Sequence, residues 1–158
     1  SPQSVLNYLK PLTNAFFVYK VMRFDISGLK LFEVGEKYYF EDLGLRNSIR
    51  GFDRRKDINK VMENAVYLHL IRLGYNVYVG QLGAAEIDFV AQKNGNTIYV
   101  QVAYMLTDEN TVQREFGNLL KIDDNYRKYV VTMDDYNAGS NYNGIDQMHL
   151  KDFLLSSL

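Results

Sequence analysis

Apolar side chains recur along the chain at the spacings of both helices and strands, and these spacings predict its elements. Helical spacing predicts helices over residues 2–13, 43–50, 58–73, 108–121 and 150–155, with Ser1 and Thr107 as N-caps and Gly74 ending the third helix. Runs of β-branched and aromatic residues predict strands over residues 16–24, 37–41, 75–79, 127–133 and 145–149. Helices and strands alternate, which is typical of an α/β protein.

A β-hairpin is predicted for residues 85–105, AEIDFVAQKNGNTIYVQVAYM. Asn94-Gly95 favours a type I′ turn, because both central residues of that turn need φ > 0. With Lys93 paired to Asn96, Asp88 falls opposite Gln101 and Glu86 opposite Ala103. Side chains alternate between the faces of a strand, so we expect a polar face of Glu86, Asp88, Gln101 and Ala103 and an apolar face of Ile87, Phe89, Val100 and Val102. The polar face is either the floor of a metal site or a surface turned to water.

The order of elements predicts how the chain is divided. Residues 57–133 read α-β-β-β-α-β, which favours a layered α/β domain with a mixed sheet, the hairpin at its centre and the helices on its apolar side. The helix, strand, loop and strand before them are what the latter half of a winged-helix domain would leave, and this part is too small to fold alone. We expect a winged-helix-like part over residues 1–50 and a second domain over residues 51–158, joined by the polar stretch 51–57. A chain that begins without Met is expected to be a fragment.

Composition excludes several classes of function. The 158 residues are 47% hydrophobic with a net charge of −1 and no cysteine, so disulfide frameworks, thiolate metal clusters and cysteine nucleophiles are excluded. No apolar run reaches the roughly 20 residues of a membrane-spanning helix, and we expect a cytoplasmic protein. No Walker A motif occurs, so this chain has no ATPase site of that kind.

The predicted core resembles the PD-(D/E)XK nuclease superfamily, which has the restriction endonuclease-like fold. That superfamily places an acidic residue on its first helix, Asp on its second strand and (E/Q)-x-K on its third. The corresponding residues here are Glu63, Asp88 and Gln101-Val102-Ala103. The resemblance therefore implies a nuclease-like αβββαβ core with Ala103 at the position of the superfamily's lysine.

Longer stretches resemble one particular group, the C-terminal region of AAA-superfamily ATPases from bacteria and archaea. They are EKYYFEDLGLRN, MENAVYLHLIRLGYNVYVG, EIDFVAQKNGNTIYVQVAYML and REFGNLLKIDDNYRKYVVTMDD. In that group an ATPase core is followed by a winged-helix segment and a nuclease-like domain of unknown function. The resemblance implies as partners an N-terminal ATPase domain, another protein or DNA, and no membrane.

The same resemblance implies a candidate Mg²⁺ site with Asp88 as direct ligand, Gln101 and Glu63 as further oxygen ligands and Glu86 extending the set. Each carboxylate could also have no role in a site. Glu63 would then lie at the edge of the apolar face of its helix, and Glu86 and Asp88 would lie on the solvent-exposed face of a strand. Because position 103 is Ala, the stabilising cation is missing unless Lys93 or Arg114 reaches the site. We therefore expect a module that contacts DNA or a protein without cutting, the alternative being a Mg²⁺-dependent endonuclease or exonuclease with a degenerate third motif.

Basic residues follow one another between the two predicted parts. Arg54, Arg55 and Lys56, with Arg50 nearby, form a cluster that could contact nucleic-acid phosphates. A run of this kind is also what a solvated linker contains. The two histidines lie far apart in the sequence, without the spacing of a zinc site.

Overall fold

A computed structural model of the chain describes residues 2–106, 108–135 and 138–158. Within them a mixed eight-stranded sheet has the strand order β2-β1-β3-β4-β5-β6-β8-β7. The strands are β1 Val18–Asp25, β2 Lys30–Phe40, β3 Asn76–Leu82, β4 Ala85–Lys93, β5 Asn96–Ala103, β6 Arg127–Thr132, β7 Asn141–Tyr142 and β8 Ile145–His149. The helices are α1 Pro2–Asn14, α2 Leu43–Arg50, α3 Arg54–Arg72, α4 Glu109–Leu120 and α5 Leu150–Leu155. The prediction of a mixed α/β protein is confirmed.

Helices cover both faces of the sheet. Two apolar clusters form the core, and neighbouring strand residues such as Val130 and Val131 belong to different ones. Met62 of α3 and Phe153 of α5 lie in the first cluster, whereas Phe116 of α4 lies in the second. The expectation that the helices share one side of the hairpin is therefore wrong. Strands such as β5, buried on both faces, require a helix layer on each side.

The hairpin has the predicted register. Lys93 pairs with Asn96, and the ladder of β4 and β5 extends to Phe89 opposite Val100. Between β3 and β4, however, the register shifts from Tyr78–Val90 to Gly80–Ile87, so β4 carries one extra residue in a β-bulge. This bulge reverses the alternation, and Ile87 packs in the α4 cluster while Phe89 packs in the α3 cluster. The predicted shared face of these two residues is wrong for this reason.

The N-terminal strands belong to the same sheet as the hairpin. β1 and β2 pair antiparallel, and β1 lies parallel to β3 through Arg23–Val79 and Phe24–Gly80. The packing of this part against the rest is what the small size of the segment led us to expect. The division into residues 1–50 and 51–158 stays a prediction.

Two boundaries differ from the sequence-based ones. The stretch 51–57 is not a linker throughout, because α3 begins at Arg54, where the Asp53 side chain accepts a hydrogen bond from Arg55 N at 3.0 Å as an N-cap. The predicted N-caps Ser1 and Thr107 lie outside the described residues. Asp108 caps α4 by accepting a hydrogen bond from Thr111 N. In the described part of the chain, no helix combines the length and hydrophobicity needed to cross a bilayer.

Candidate functional site

Three carboxylates and one lysine meet where β2, β4 and α3 come together. The Lys37 Nζ atom of β2 lies 2.7 Å from Glu86 Oε1, 3.6 Å from Glu63 Oε2 and 3.8 Å from Asp88 Oδ1. We call these four residues the acidic cluster. Glu63 comes from α3 and both other carboxylates from β4. The fold thus brings together three of the predicted site residues.

The β-bulge positions Asp88. Beyond the Phe89–Val100 pair, the side chains continue the contact between β4 and β5: Val102 N donates to Asp88 Oδ2 at 2.8 Å, and Asp88 N donates to Gln101 Oε1 at 3.2 Å. Asp88 and Gln101 are therefore cross-strand neighbours, as predicted. One carboxylate oxygen of Asp88 is held by the backbone, which leaves Oδ1 directed towards Lys37.

Gln101 is joined to the opposite face of the sheet. Its Nε2 donates to Glu115 Oε2 of α4 at 2.9 Å, and both side chains are buried. Gln101 follows the alternation of β5 towards α4, while the bulge places Asp88 with Glu63 on the α3 side. The prediction that the Asp88 and Gln101 side chains share one face is wrong, and Gln101 contacts Asp88 only through the backbone N–H.

The cation of the cluster comes from an unexpected strand. The Ala103 side chain, at the position of the superfamily's lysine, is buried. Neither predicted substitute reaches the carboxylates: Lys93 Nζ donates to Leu73 O at 2.7 Å, and Arg114 pairs with Glu115 at 2.7 Å. Lys37 was missed because it lies 66 positions before Ala103 in the sequence. The sequence signal for Lys37 was its position on the predicted strand 37–41, where it shares a face with Tyr39.

Burial and mutual repulsion shift the pKa values of the cluster. Burial, with a further contribution from the charge of Glu63, raises the pKa of Asp88 above its ordinary value. Burial also raises the pKa of Glu63, although Lys37 opposes the effect. Burial alone would lower the pKa of Lys37, but the three carboxylates outweigh it and raise that pKa. Shifted pKa values of this kind occur at functional sites and also in structural ion-pair networks.

Tyr39 adds a buried hydroxyl to the cluster. The residue is 5% exposed, and its Oη atom has no hydrogen-bond partner of good geometry. Burial and the charges of Glu63, Asp88 and Glu86 raise the pKa of Tyr39, so the hydroxyl stays protonated. Glu63 contributes to this shift as a hydrogen-bond acceptor, so the hydroxyl already lies close to an acceptor within the cluster.

Arg23 of β1 fixes the outer side of the cluster. Its Nη1 lies 2.7 Å from Glu86 Oε2, and its Nε donates to Gly35 O in the irregular part of β2. Lys37 follows this irregularity and pairs with Val21. Burial would raise the pKa of Glu86, but Lys37 and Arg23 lower it. Glu86 is therefore a charged anchor for two cations.

The acidic cluster offers few protein ligands to a metal ion. In the described residues, no three side chains of His, Cys, Asp or Glu form a group able to hold a metal ion together. Mg²⁺ is commonly held by one or two carboxylates and keeps several waters, and Asp88 with Glu63 would meet that need. The Asp88 side chain is 10% exposed and that of Glu86 is 39% exposed, so the cluster opens to solvent on the Glu86 side.

The predicted basic cluster lies at the beginning of a helix. Arg54, Arg55 and Lys56 form the first turn of α3 and are exposed. Arg54 Nη2 lies 3.4 Å from the Tyr104 hydroxyl, and Lys56 Nζ lies 3.6 Å from Asp53 Oδ2. Their role as contacts for nucleic acid stays a prediction.

Comparisons with known proteins identify relatives without an assigned activity. The profile of the family described as domain of unknown function DUF4143 matches residues 59–153. An uncharacterised protein of Haemophilus influenzae is 39% identical over 155 residues, which is 98% of this chain and 38% of that protein. The chain thus spans well under half of the length of the relative it matches.

Proposed function

We propose that this chain, which belongs to the family described as domain of unknown function DUF4143, is a nuclease domain of the PD-(D/E)XK type whose lysine is supplied by β2. The observation that carries the proposal is Lys37, whose ammonium lies within 3.8 Å of the carboxylates of Glu63, Glu86 and Asp88. Ala103 was the reason to expect an inactive domain, and Lys37 removes that reason. The reaction is the hydrolysis of a phosphodiester bond in DNA.

The residues of the acidic cluster and their neighbours would have separate roles in the hydrolysis. Asp88 and Glu63 would hold Mg²⁺, which when bound polarises a phosphoryl oxygen and acidifies a water. Lys37 faces the negative charge that develops on the phosphoryl group, and the Tyr39 hydroxyl donates a hydrogen bond at the same place. Glu86, held by Arg23, positions the Lys37 ammonium. Because these groups are fixed before substrate arrives, little reorganisation is needed during the reaction.

The longer parent is part of the proposal. The resemblance to the C-terminal region of AAA-superfamily ATPases supports an ATPase in the same polypeptide; it covers residues 36–47, 62–80, 86–106 and 114–135. The Haemophilus influenzae relative is longer than this chain, which covers 38% of it. Residues 1–50 would then derive from a winged-helix segment. Their β1–β2 hairpin delivers Arg23 and Lys37 to the acidic cluster.

A second candidate is a module that contacts DNA or a protein without cutting. Two observations on the described residues favour it: no group of three metal-ligating side chains is present, and Lys37 already neutralises part of the carboxylate charge. In that case the acidic cluster is a buried ion-pair network that stabilises the junction of β2, β4 and α3.

Cleavage assays separate the two candidates. We expect Mg²⁺- or Mn²⁺-dependent cutting of labelled DNA by the wild-type chain, lost in Asp88→Asn and reduced about 10²–10³-fold in Lys37→Ala, because one preorganised stabilising charge is removed. Lys20→Ala is the matched control, since Lys20 also pairs with a glutamate, Glu36, at 3.2 Å but lies outside the cluster. It should cut like the wild type.

Cleavage that does not depend on Asp88 would also be informative. If wild type and Asp88→Asn release the same amount of product from identical preparations, the cutting belongs to a contaminant. The second candidate would then replace the first. Metal binding measured alone decides nothing, since carboxylates can bind a metal in a domain that does not cut.

A further inference from the structure

A pocket of about 380 Å³ opens directly beside the acidic cluster, between β2, α2 and α3. Its lining includes four cations, and it shares Lys37 and Glu63 with the cluster. The polar and charged side chains of the lining are Lys37, Arg46, Arg50, Lys60, Glu63 and Asn64. A ligand in this pocket would therefore touch the proposed catalytic site.

The cations of the pocket are neutralised unequally. Lys37 is held by the cluster, and Arg46 Nη2 lies 3.2 Å from Asp57 Oδ1, both of these side chains being buried. Arg50 and Lys60 are exposed and form no salt bridge within 4.0 Å with any described acidic side chain. The charge of Arg50 acts on Asp57 and that of Lys60 acts on Glu63 without forming an ion pair, so these two residues are the least neutralised cations of the pocket.

The amide group of the lining is already hydrogen-bonded to the backbone. Asn64 donates to Phe40 O and accepts from Phe40 N, which ties α3 to β2. Arg46 and Arg50 are four positions apart on α2, so they lie on the same face of that helix. The exposed side chains of the lining, Arg50 and Lys60, are both cationic, which favours an anion with several oxygens, above all a phosphate.

We infer that this pocket binds a phosphate of the nucleic-acid strand next to the bond at the acidic cluster, with Arg50 and Lys60 as its contacts; for the identity of the strand, the inference rests on the proposed function. A strand approaching Glu63, Glu86 and Asp88 meets like charge, and an adjacent cationic pocket offsets that repulsion. Arg50 and Lys60, in place of Arg54, Arg55 and Lys56, then set the affinity for the strand.

Binding without cleavage tests the inference. Fluorescence anisotropy with labelled single-stranded and duplex DNA in EDTA measures affinity while metal-dependent cutting is suppressed. We expect the pair Arg50→Ala with Lys60→Ala to weaken binding about tenfold and to lower the salt slope by about one to two, because phosphate contacts release counterions. Lys10→Ala with Lys151→Ala removes the same charge from exposed lysines outside the pocket lining and should change affinity less than threefold.

Two further arms define the outcome. The pair Arg54→Ala with Arg55→Ala should weaken binding less than the pocket pair; an equal or larger effect overturns the inference, as does wild-type affinity in the pocket pair. Strands with a 5′-phosphate and with a 5′-hydroxyl separate a terminal phosphate from an internal phosphodiester.

Pocket-dependent binding without any cleavage would leave this inference standing and reject the proposed function. Asp88-dependent cleavage with wild-type binding in the pocket pair would do the reverse.

Discussion

The pair of Lys37 and Glu63 shows that burying a charged side chain can lower the stability of the folded protein. Glu63 lies 3.6 Å from Lys37 Nζ, yet burial raises the pKa of Glu63 in spite of that partner. The ionised carboxylate is therefore less favourable in the folded protein than in water. Glu36, directly before Lys37 on β2, has a lowered pKa because its hydrogen bonds favour the charged form. Two glutamates on neighbouring elements thus contribute to stability with opposite signs.

Glu63→Gln should raise the free energy of unfolding at neutral pH by about 0.5–2 kcal/mol, the usual gain from a single stabilising substitution. The folded-state pKa is raised, so the stabilising contribution of Glu63 is complete below its unfolded pKa near 4.5 and is lost as the pH rises through the folded-state pKa. The advantage of the variant over wild type should therefore shrink as the pH falls towards that value. Urea denaturation across this pH range measures it. Glu36→Gln, with the opposite pKa shift, should not stabilise, and a destabilised Glu63→Gln at neutral pH would contradict the argument.

At the scale of elements, the β-bulge between β3 and β4 decides where Asp88 lies. The bulge leaves no room opposite it: a Cβ on Gly80 would meet Val90 Cγ2 at 2.8 Å and Ile87 Cβ at 2.9 Å. Gly80 thus allows β3 to approach the two residues that flank the extra position. The element that carries the carboxylate depends on the absence of one side chain in its neighbour.

Gly80→Ala should destabilise the protein by about 1–3 kcal/mol, the range for added bulk in a packed core. Gly117→Ala is its control, because an added Cβ there meets nothing within 4 Å and alanine is the better helix former. Thermal unfolding of the two variants should move in opposite directions. Equal midpoints for the two variants would mean that β3 can shift without cost and that Gly80 does not define the bulge.

At the scale of the whole molecule, the N-terminal hairpin completes the site of the C-terminal part. The family profile begins at residue 59, whereas Arg23 and Lys37 come from β1 and β2. These strands are joined to the rest by the parallel pairing of β1 with β3. The two parts of the chain therefore share one sheet and one acidic cluster.

A peptide of residues 1–50 should show no cooperative unfolding, because so short a segment buries too little apolar surface to offset its conformational entropy. Val21 and Tyr39 of this segment pack in the cluster that α3 and β5 complete, and the isolated peptide would expose them. Circular dichroism with heating measures the transition. A sigmoidal melt that does not depend on peptide concentration would show that the segment folds by itself.

The sequence by itself determined the local structure. Residues 43–50, 145–149 and 150–155 form the predicted elements with the predicted bounds, since their apolar periods and turn residues act over a few positions. Asn94-Gly95 determined the hairpin register in the same way, because its backbone conformation is local. Glu63 and Asp88 could be named as candidate site residues because the resemblance places an acidic residue on the first helix of the core and an Asp on its second strand.

Only the tertiary structure decided which side chains meet. The bulge that separates Gln101 from Asp88 depends on β3, and the cation that joins the carboxylates lies on β2, a strand with no local link to the hairpin. Alternation along one strand cannot reveal an extra residue that a neighbouring strand imposes, and spacing along the chain cannot reveal a partner brought in by sheet order. Lys37 reaches Asp88 because β1 joins β3 side by side, a long-range pairing selected by burial of the whole sheet between its two layers of helices.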